Sequence, residues 1–163
     1  LREDGADGPA ITHHANLESR VPEARTPLSL LAARFDRFDE ELPAMLAREL
    51  RVDEADGYFR DLSGVLLPHL TQRQRKARET AYGQMLTNFD NERNTLAGIR
   101  HTAWGAYNAV SEWADHQKAY RGKTDADRLN NQLNSMWFGG AHRLKQAAYH
   151  GALALAGADG VAA

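Results

Sequence analysis

The chain has 163 residues, 42% hydrophobic and 26% charged, which suits one folded domain with a proper core and argues against disorder. It contains no cysteine, which excludes disulfides, thiolate catalysis and cysteine-ligated zinc or iron–sulfur centres. The net charge of −2 conceals an asymmetry, since residues 1–70 carry 8 Lys and Arg against 14 Asp and Glu, and residues 71–163 carry 12 against 8.

Residues 1–16 mix glycine, proline and scattered acids without a period, and read as a linker or the exit from a preceding domain. The start, Leu1-Arg2-Glu3-Asp4-Gly5, has no secretory signal, and opening on Leu rather than Met implies a fragment. A helical pattern begins near Arg20–Arg25, with Thr26-Pro27 as cap and first helical position. Leu28, Leu31, Phe35, Phe38, Leu42, Met45 and Leu46 keep helical spacing, and Pro43 predicts a kink. Asp53 is the expected cap of a second helix, with Asp56 in its first turn. Its stripe is Tyr58, Phe59, Leu62, Val65 and Leu66, and Pro68 ends it. Thr71 caps a third helix to about Asn88, with Ala77, Ala81, Met85 and Phe89 inward; residues 90–100 form a connection.

Thr102 caps a fourth helix from Ala103 to about Tyr120, closed by Arg121-Gly122-Lys123. Thr124 opens a fifth, and Gly139-Gly140 interrupts a pattern that resumes from Ala141 to Ala156. Residues 157–163 form a flexible tail. The expectation is an all-α, irregular bundle of about five to six helices over 17–156, kinked near Pro43 and Gly139-Gly140. With alanine and leucine frequent and no runs of Val, Ile or Thr, strand is disfavoured. No apolar run approaches the roughly 18 residues that span a bilayer, so no membrane partner and a cytoplasmic location are expected.

The fourth helix reads Thr102-Ala103-Trp104-Gly105-Ala106-Tyr107-Asn108-Ala109-Val110-Ser111-Glu112-Trp113-Ala114-Asp115-His116. This resembles the signature segment of the phage/plasmid-like family named domain of unknown function 932. Ile11-Thr12-His13-His14, Trp137-Phe138-Gly139-Gly140 and Leu144-Lys145 extend the likeness over residues 11–156. The resemblance implies a protein of bacterial or phage mobile elements, and that this chain is the C-terminal half of something roughly twice as long. It brings no reaction with it.

Asn108, Glu112, Asp115 and His116 fall at i, i+4, i+7 and i+8, on one side of that helix. Such a face can hold a divalent metal or pair an acid with a base, or it can be a hydrogen-bonded network locking the helix to a neighbour. Without a matching second helix, no metal ligands and no catalytic residues are assigned. No glycine-rich phosphate loop or nucleophile elbow calls for a cofactor.

Arg73, Arg75, Lys76 and Arg78 crowd the start of the third helix, against its macrodipole. Asp36, Asp39, Glu40 and Glu41 could neutralise them, or a polyanion could, with Lys118, Arg121, Lys123 and Arg128 adding to the surface. Most of Trp104, Tyr107, Trp113, Tyr120 and Trp137 are expected in the core rather than stacked on bases. Gly105 with Ala109 implies close helix packing flanked by Trp104 and Trp113. Trp137-Phe138 is expected in the core, the alternative being a bare patch for self-association. Lys145 and Gly139 belong with the structural motifs. The functional expectation is a non-enzymatic helical module serving as a DNA-binding or annealing accessory. A protein-interaction or self-assembly module is the alternative, and a metal-assisted hydrolase using Glu112, Asp115 and His116 a third.

Overall fold

A computed structural model of the protein describes residues 34–90 and 97–157. The expected linker over 1–16, the Thr26-Pro27 cap and residues 158–163 lie outside them. The chain divides into two units, Leu1–Asp39 and Glu40–Ala163. Of the first, residues 34–39 are described, and they are helical with Phe35 exposed. The second unit contains everything that follows.

In the second unit residues 40–47 form helix α1, without interruption at Pro43. Met45 is fully buried, whereas Leu46 is exposed. Helix α2 (Val52–Ser63) starts earlier than an Asp53 cap would place it, with Arg51 as its cap. The reason is Glu54, whose carboxylate accepts the Arg51 backbone N–H at 2.9 Å and leaves Asp53 inside the first turn. Its end also differs from expectation. Gly64 takes the left-handed conformation, φ +68°, and its N–H donates to the Asp61 carbonyl. Arg78 Nη1 donates to the Ser63 carbonyl at 2.9 Å, in the space a side chain at Gly64 would need. The helix therefore stops before Pro68, and Leu66 stands exposed rather than in the buried stripe.

Helix α3 (Gln72–Asp90) opens on a reciprocal cap. Thr71 Oγ1 accepts from the Gln74 N–H at 3.2 Å, and Gln74 Oε1 accepts from the Thr71 N–H at 2.9 Å. Residues 71–77 are all exposed, so Ala77 is not a core residue; burial begins at Ala81 and continues through Met85, Asn88 and Phe89. Asp56 and Tyr82 join α2 to α3 through a short hydrogen bond, and Arg60 Nε donates to Asp56 at 2.7 Å while lying 5.0 Å over the Tyr82 ring. The Tyr82 hydroxyl, and after it the Arg60 guanidinium, hold the Asp56 carboxyl below its ordinary pKa.

A 3-10 turn (Ala97–Ile99) leads into α4 (Ala103–Glu112), where Thr102 Oγ1 accepts from the Gly105 N–H at 3.0 Å. A Cβ on Gly105 would stand 2.2 Å from the Ile99 carbonyl oxygen. The expected close approach at Gly105 is thus real, but it is made to this turn rather than to a neighbouring helix. Residues 48–50 run antiparallel to 101–103, with Leu50 N–H on the His101 carbonyl at 2.8 Å and Ala103 N–H on the Arg48 carbonyl at 2.9 Å. His101 adopts φ +61° there, its ring nitrogen 2.7 Å from Asp90.

Beyond Glu112 the helix widens into a π turn (Trp113–Gln117) and ends at Lys118, short of the Tyr120 expected from the sequence. Helix α5 (Asp125–Trp137) carries the Thr124–Asp127 capping box, and α6 (Gly140–Ala156) ends at Gly157, φ +69°. The Gly139-Gly140 pair breaks the pattern: Gly139 leaves the helical conformation at φ −106° and ψ −148°, and a Cβ there would lie 2.8 Å from Ser135 Cα.

The core lies where α4 packs on α6 and α3, with α2 against α3 and α6. Ala106, Ala109 and Val110 of α4 and Ala148 and Ala152 of α6 are fully buried, side chains short enough to let the two backbones approach. Phe59 fills the space between α2 and α3, edge-on to Tyr58 at 5.1 Å and to Phe89 at 5.3 Å. Tyr58 lies against Gly151 and donates its hydroxyl to the Ala148 carbonyl at 2.8 Å; burial raises its pKa. Among the described residues no helix is long and apolar enough to cross a membrane.

Two glycines should respond oppositely to alanine. Gly105→Ala forces its Cβ into a backbone oxygen and is expected to cost about 1–3 kcal/mol by thermal unfolding. Gly83→Ala, in the open interior of α3, is expected to stabilise by about 0.5–1 kcal/mol. For Asp56, the folded-state pKa lies below the unfolded one. Its contribution is complete above the ordinary carboxylate range, roughly 4, and is lost as pH falls through the depressed value. Asp56→Asn is therefore expected to melt below the parent at neutral pH and to converge on it in acid.

Candidate functional site

The four polar residues singled out on the fourth helix do not act together. The π turn redirects the side chains beyond Glu112. Asn108 Nδ2 donates to the Trp104 carbonyl of its own helix at 2.8 Å. Glu112 and His116 approach at 3.9 Å, with His116 largely exposed, too far apart for a hydrogen bond. Asp115 turns instead to α6, where Lys145 Nζ donates to both carboxylate oxygens at 2.9 and 3.2 Å. Both side chains are 23% exposed. Among the described residues no three His, Asp or Glu side chains gather as metal ligands. Asp115 and Lys145 form a structural tie between the π turn and α6.

The π turn itself rests on amides that sequence reasoning passed over. Trp113 Nε1 donates to Gln84 Oε1 at 2.9 Å. Gln117 Nε2 donates to Asn88 Oδ1 at 2.8 Å, and Asn88 Nδ2 is shared between Gln117 Oε1 at 3.2 Å and the Ala109 carbonyl at 3.1 Å. Two residues four apart on the widened turn thus meet two residues four apart on α3. A helix end leaves carbonyls without intrahelical donors, and here side chains supply them. Tyr120 Oη donates to the Ala114 carbonyl at 3.1 Å and Gln132 Nε2 to that of Asp115 at 2.9 Å. One signal was available: Asn88 sits three residues after Met85 and one before Phe89, a polar residue on an otherwise apolar stripe.

The basic residues separate into two groups. Arg78 is engaged at the end of α2. Lys118 is half-buried, lies 5.4 Å over the Tyr120 ring, and has its pKa lowered by burial. Arg128 pairs with Asp125. Arg73, Arg75, Lys76, Arg121 and Lys123 are exposed, and among the described residues no carboxylate pairs with them. Glu41, one of the acids expected to neutralise the cluster, accepts the Tyr149 hydroxyl at 2.6 Å.

The aromatic residues divide as well. Trp104 and Tyr107 stack at 5.0 Å and, with Trp113, are half-buried against the core, whereas Trp137 and Phe138 are exposed and not in it. The reason is that α5 meets the rest of the unit through its polar side. Asn131 Nδ2 donates to the Arg121 carbonyl at 2.7 Å, Gln132 binds Asp115, and Ser135 Oγ accepts the Ala141 N–H at 3.1 Å.

Lys145→Met should leave the Asp115 carboxylate half-buried without its cation and cost about 1–2 kcal/mol, between the values for exposed and buried pairs. Adding Asp115→Asn should recover part of that loss in a double-mutant cycle by chemical denaturation.

No curated protein and no solved structure matches the chain. The profile of the family described as Domain of unknown function (DUF932) matches residues 4–137, from before the expected start at residue 11 to the last residue of α5, so that Phe138-Gly139-Gly140 and Leu144-Lys145 lie beyond it. With most of its length matched, the chain belongs to that family.

Proposed function

We propose that the protein is a non-enzymatic helical module that binds DNA through the first turns of α3, serving a mobile genetic element in the cytoplasm of its host. The observation that carries this reading is the state of Arg73, Arg75 and Lys76. They occupy a helical segment whose residues 71–77 are all exposed, without a carboxylate partner among the described residues. Three cations near a helix N-terminus oppose the macrodipole, and a polyanion relieves that opposition. Arg121 and Lys123 are two further exposed cations. Resemblance to a family of phages and plasmids supports the mobile-element context. Asp115 pairs with Lys145 and is separated from the neighbouring Glu112 and His116, which favours binding over hydrolysis.

The test is fluorescence anisotropy with short labelled single- and double-stranded DNA across a salt series. Arg73→Glu/Arg75→Glu/Lys76→Glu is expected to abolish binding. Neutralising all three with Gln should flatten the log–log salt slope by about 2–3, near one per phosphate contact. Arg78 is left intact because it holds the end of α2. Absence of salt-sensitive affinity for either DNA would refute the reading.

A further inference from the structure

Helix α3 carries a side that nothing among the described residues covers. On a repeat of 3.6 residues Arg73, Lys76, Thr80, Gly83 and Thr87 fall together, opposite Arg78, which is engaged at the end of α2, and the buried Met85 and Phe89. All five are exposed, and none is acidic or large and apolar. Glu79, the acid of the first turns, lies to one side of them. The Thr80 and Thr87 hydroxyls donate to the carbonyls of Lys76 and Gly83, each at 2.9 Å, so they lie back along the helix and keep the surface shallow. A glycine inside a helix weakens it relative to alanine. Gly83 stands in open space, with nothing among the described residues within 4 Å of a Cβ built there, so no packing contact accounts for it. Gly57 of α2 is open too, but Asp53 and Asp61 stand four residues to either side of it and repel a polyanion.

We infer, on the DNA-binding reading above, that this side of α3 seats in the major groove of duplex DNA, with Gly83 where the helix backbone meets the sugar–phosphate of one strand. Residues 71–77 are all exposed, so the first turns stand clear of the bundle and can enter a groove. With its side chains a helix is about 10–12 Å across, which fits the B-form major groove of about 12 Å and not the minor groove of about 6 Å. The deep, narrow major groove of duplex RNA does not admit it. Single strands are held by stacking on aromatic rings, and none lies between Thr71 and Ala81, while the Tyr82 hydroxyl is held by Asp56. Arg73 and Lys76 supply donors for phosphates and for guanine edges. Beyond them the surface drops to Thr80 and Gly83, where a glycine permits the closest approach of another backbone.

Competition against a short labelled duplex, with the full chain, tests the ligand class. Unlabelled duplex DNA is expected to compete about tenfold better, or more, than the same sequence as a single strand or as duplex RNA. Dimethyl sulfate footprinting tests the groove: bound protein should shield guanine N7, in the major groove, and leave adenine N3, in the minor groove, reactive. Gly83→Gln separates contact from folding. It should melt at or above the parent, because Gln is the better helix former and the space is open. It should nonetheless weaken duplex binding by about tenfold, with the salt slope unchanged because no cation is lost. Gly83→Ala, a smaller intrusion, should show the same pairing of higher melting temperature and weaker binding. Parent-like affinity of both Gly83 variants would overturn the inference, as would shielding of adenine N3 alone or preference for single strands, and the DNA-binding reading would survive each. Absence of binding to any DNA would remove both.

Discussion

Helix α4 has few side chains able to hold it in place, and the rest of the unit depends on how its two ends are tied down. Its buried face is Ala103, Ala106, Ala109 and Val110, which lets α6 come close and gives no directional bond. Position is therefore set by backbone groups. At the start, Thr102 caps the helix, Ala103 donates to Arg48, and Gly105 admits the Ile99 carbonyl. Arg48 extends that tie, donating to the Leu155 carbonyl at the end of α6 at 3.0 Å and to Glu54 in α2 at 2.6 Å. At the far end the π turn shifts the phase of the helix, so that Trp113 and Gln117 address α3 while Asp115 addresses α6. A π turn is a locally poorer hydrogen-bond arrangement than α-helix, sustained here by the side-chain amides that satisfy it.

The same shift explains why a polar face that is continuous on a helical wheel is discontinuous in space. Asn108 lies on the α part of the element and folds back on its own carbonyl ladder. Asp115 lies on the π part and pairs with Lys145. What had the spacing of a metal or acid–base site becomes a joint between helices. The joint leaves unused the exposed cations at the start of α3 and the exposed Leu129, Leu133 and Trp137 of α5.

The local signals along the chain were largely legible. Thr71, Thr102 and Thr124 each cap the helix expected to follow them, because capping needs only a side-chain oxygen within three residues of a free N–H. Met45, Phe59, Met85, Phe89 and Val110 are buried. Expectation and structure part where a further contact overruled the cap or stripe that residue type suggested. Asp53 is a better cap by type than Arg51, yet Glu54 and its contacts with Arg51 and Arg48 decide the start of α2. Leu66 and Ala77 continue their apolar patterns, but Gly64 ends one helix early and the first turns of α3 have nothing packed on them.

The sequence by itself determined the all-α architecture, the order of its helices and the family, because propensity, period and capping act over a few neighbouring residues. It also supplied the cations of α3 as a list, whereas Leu129 and Leu133 were not singled out and Trp137-Phe138 was expected in the core. Tertiary structure alone decided which of those residues are engaged. Arg78 and Arg73 look equivalent in the chain, and only the nearby Ser63 carbonyl distinguishes them. Trp113 and Trp137 are alike in chemistry, yet one finds Gln84 while the other lies exposed on a helix seated by its polar side. The physical reason is range: a hydrogen-bond partner 15 or 29 positions away is set by how helices dock, and docking is a property of the packed whole.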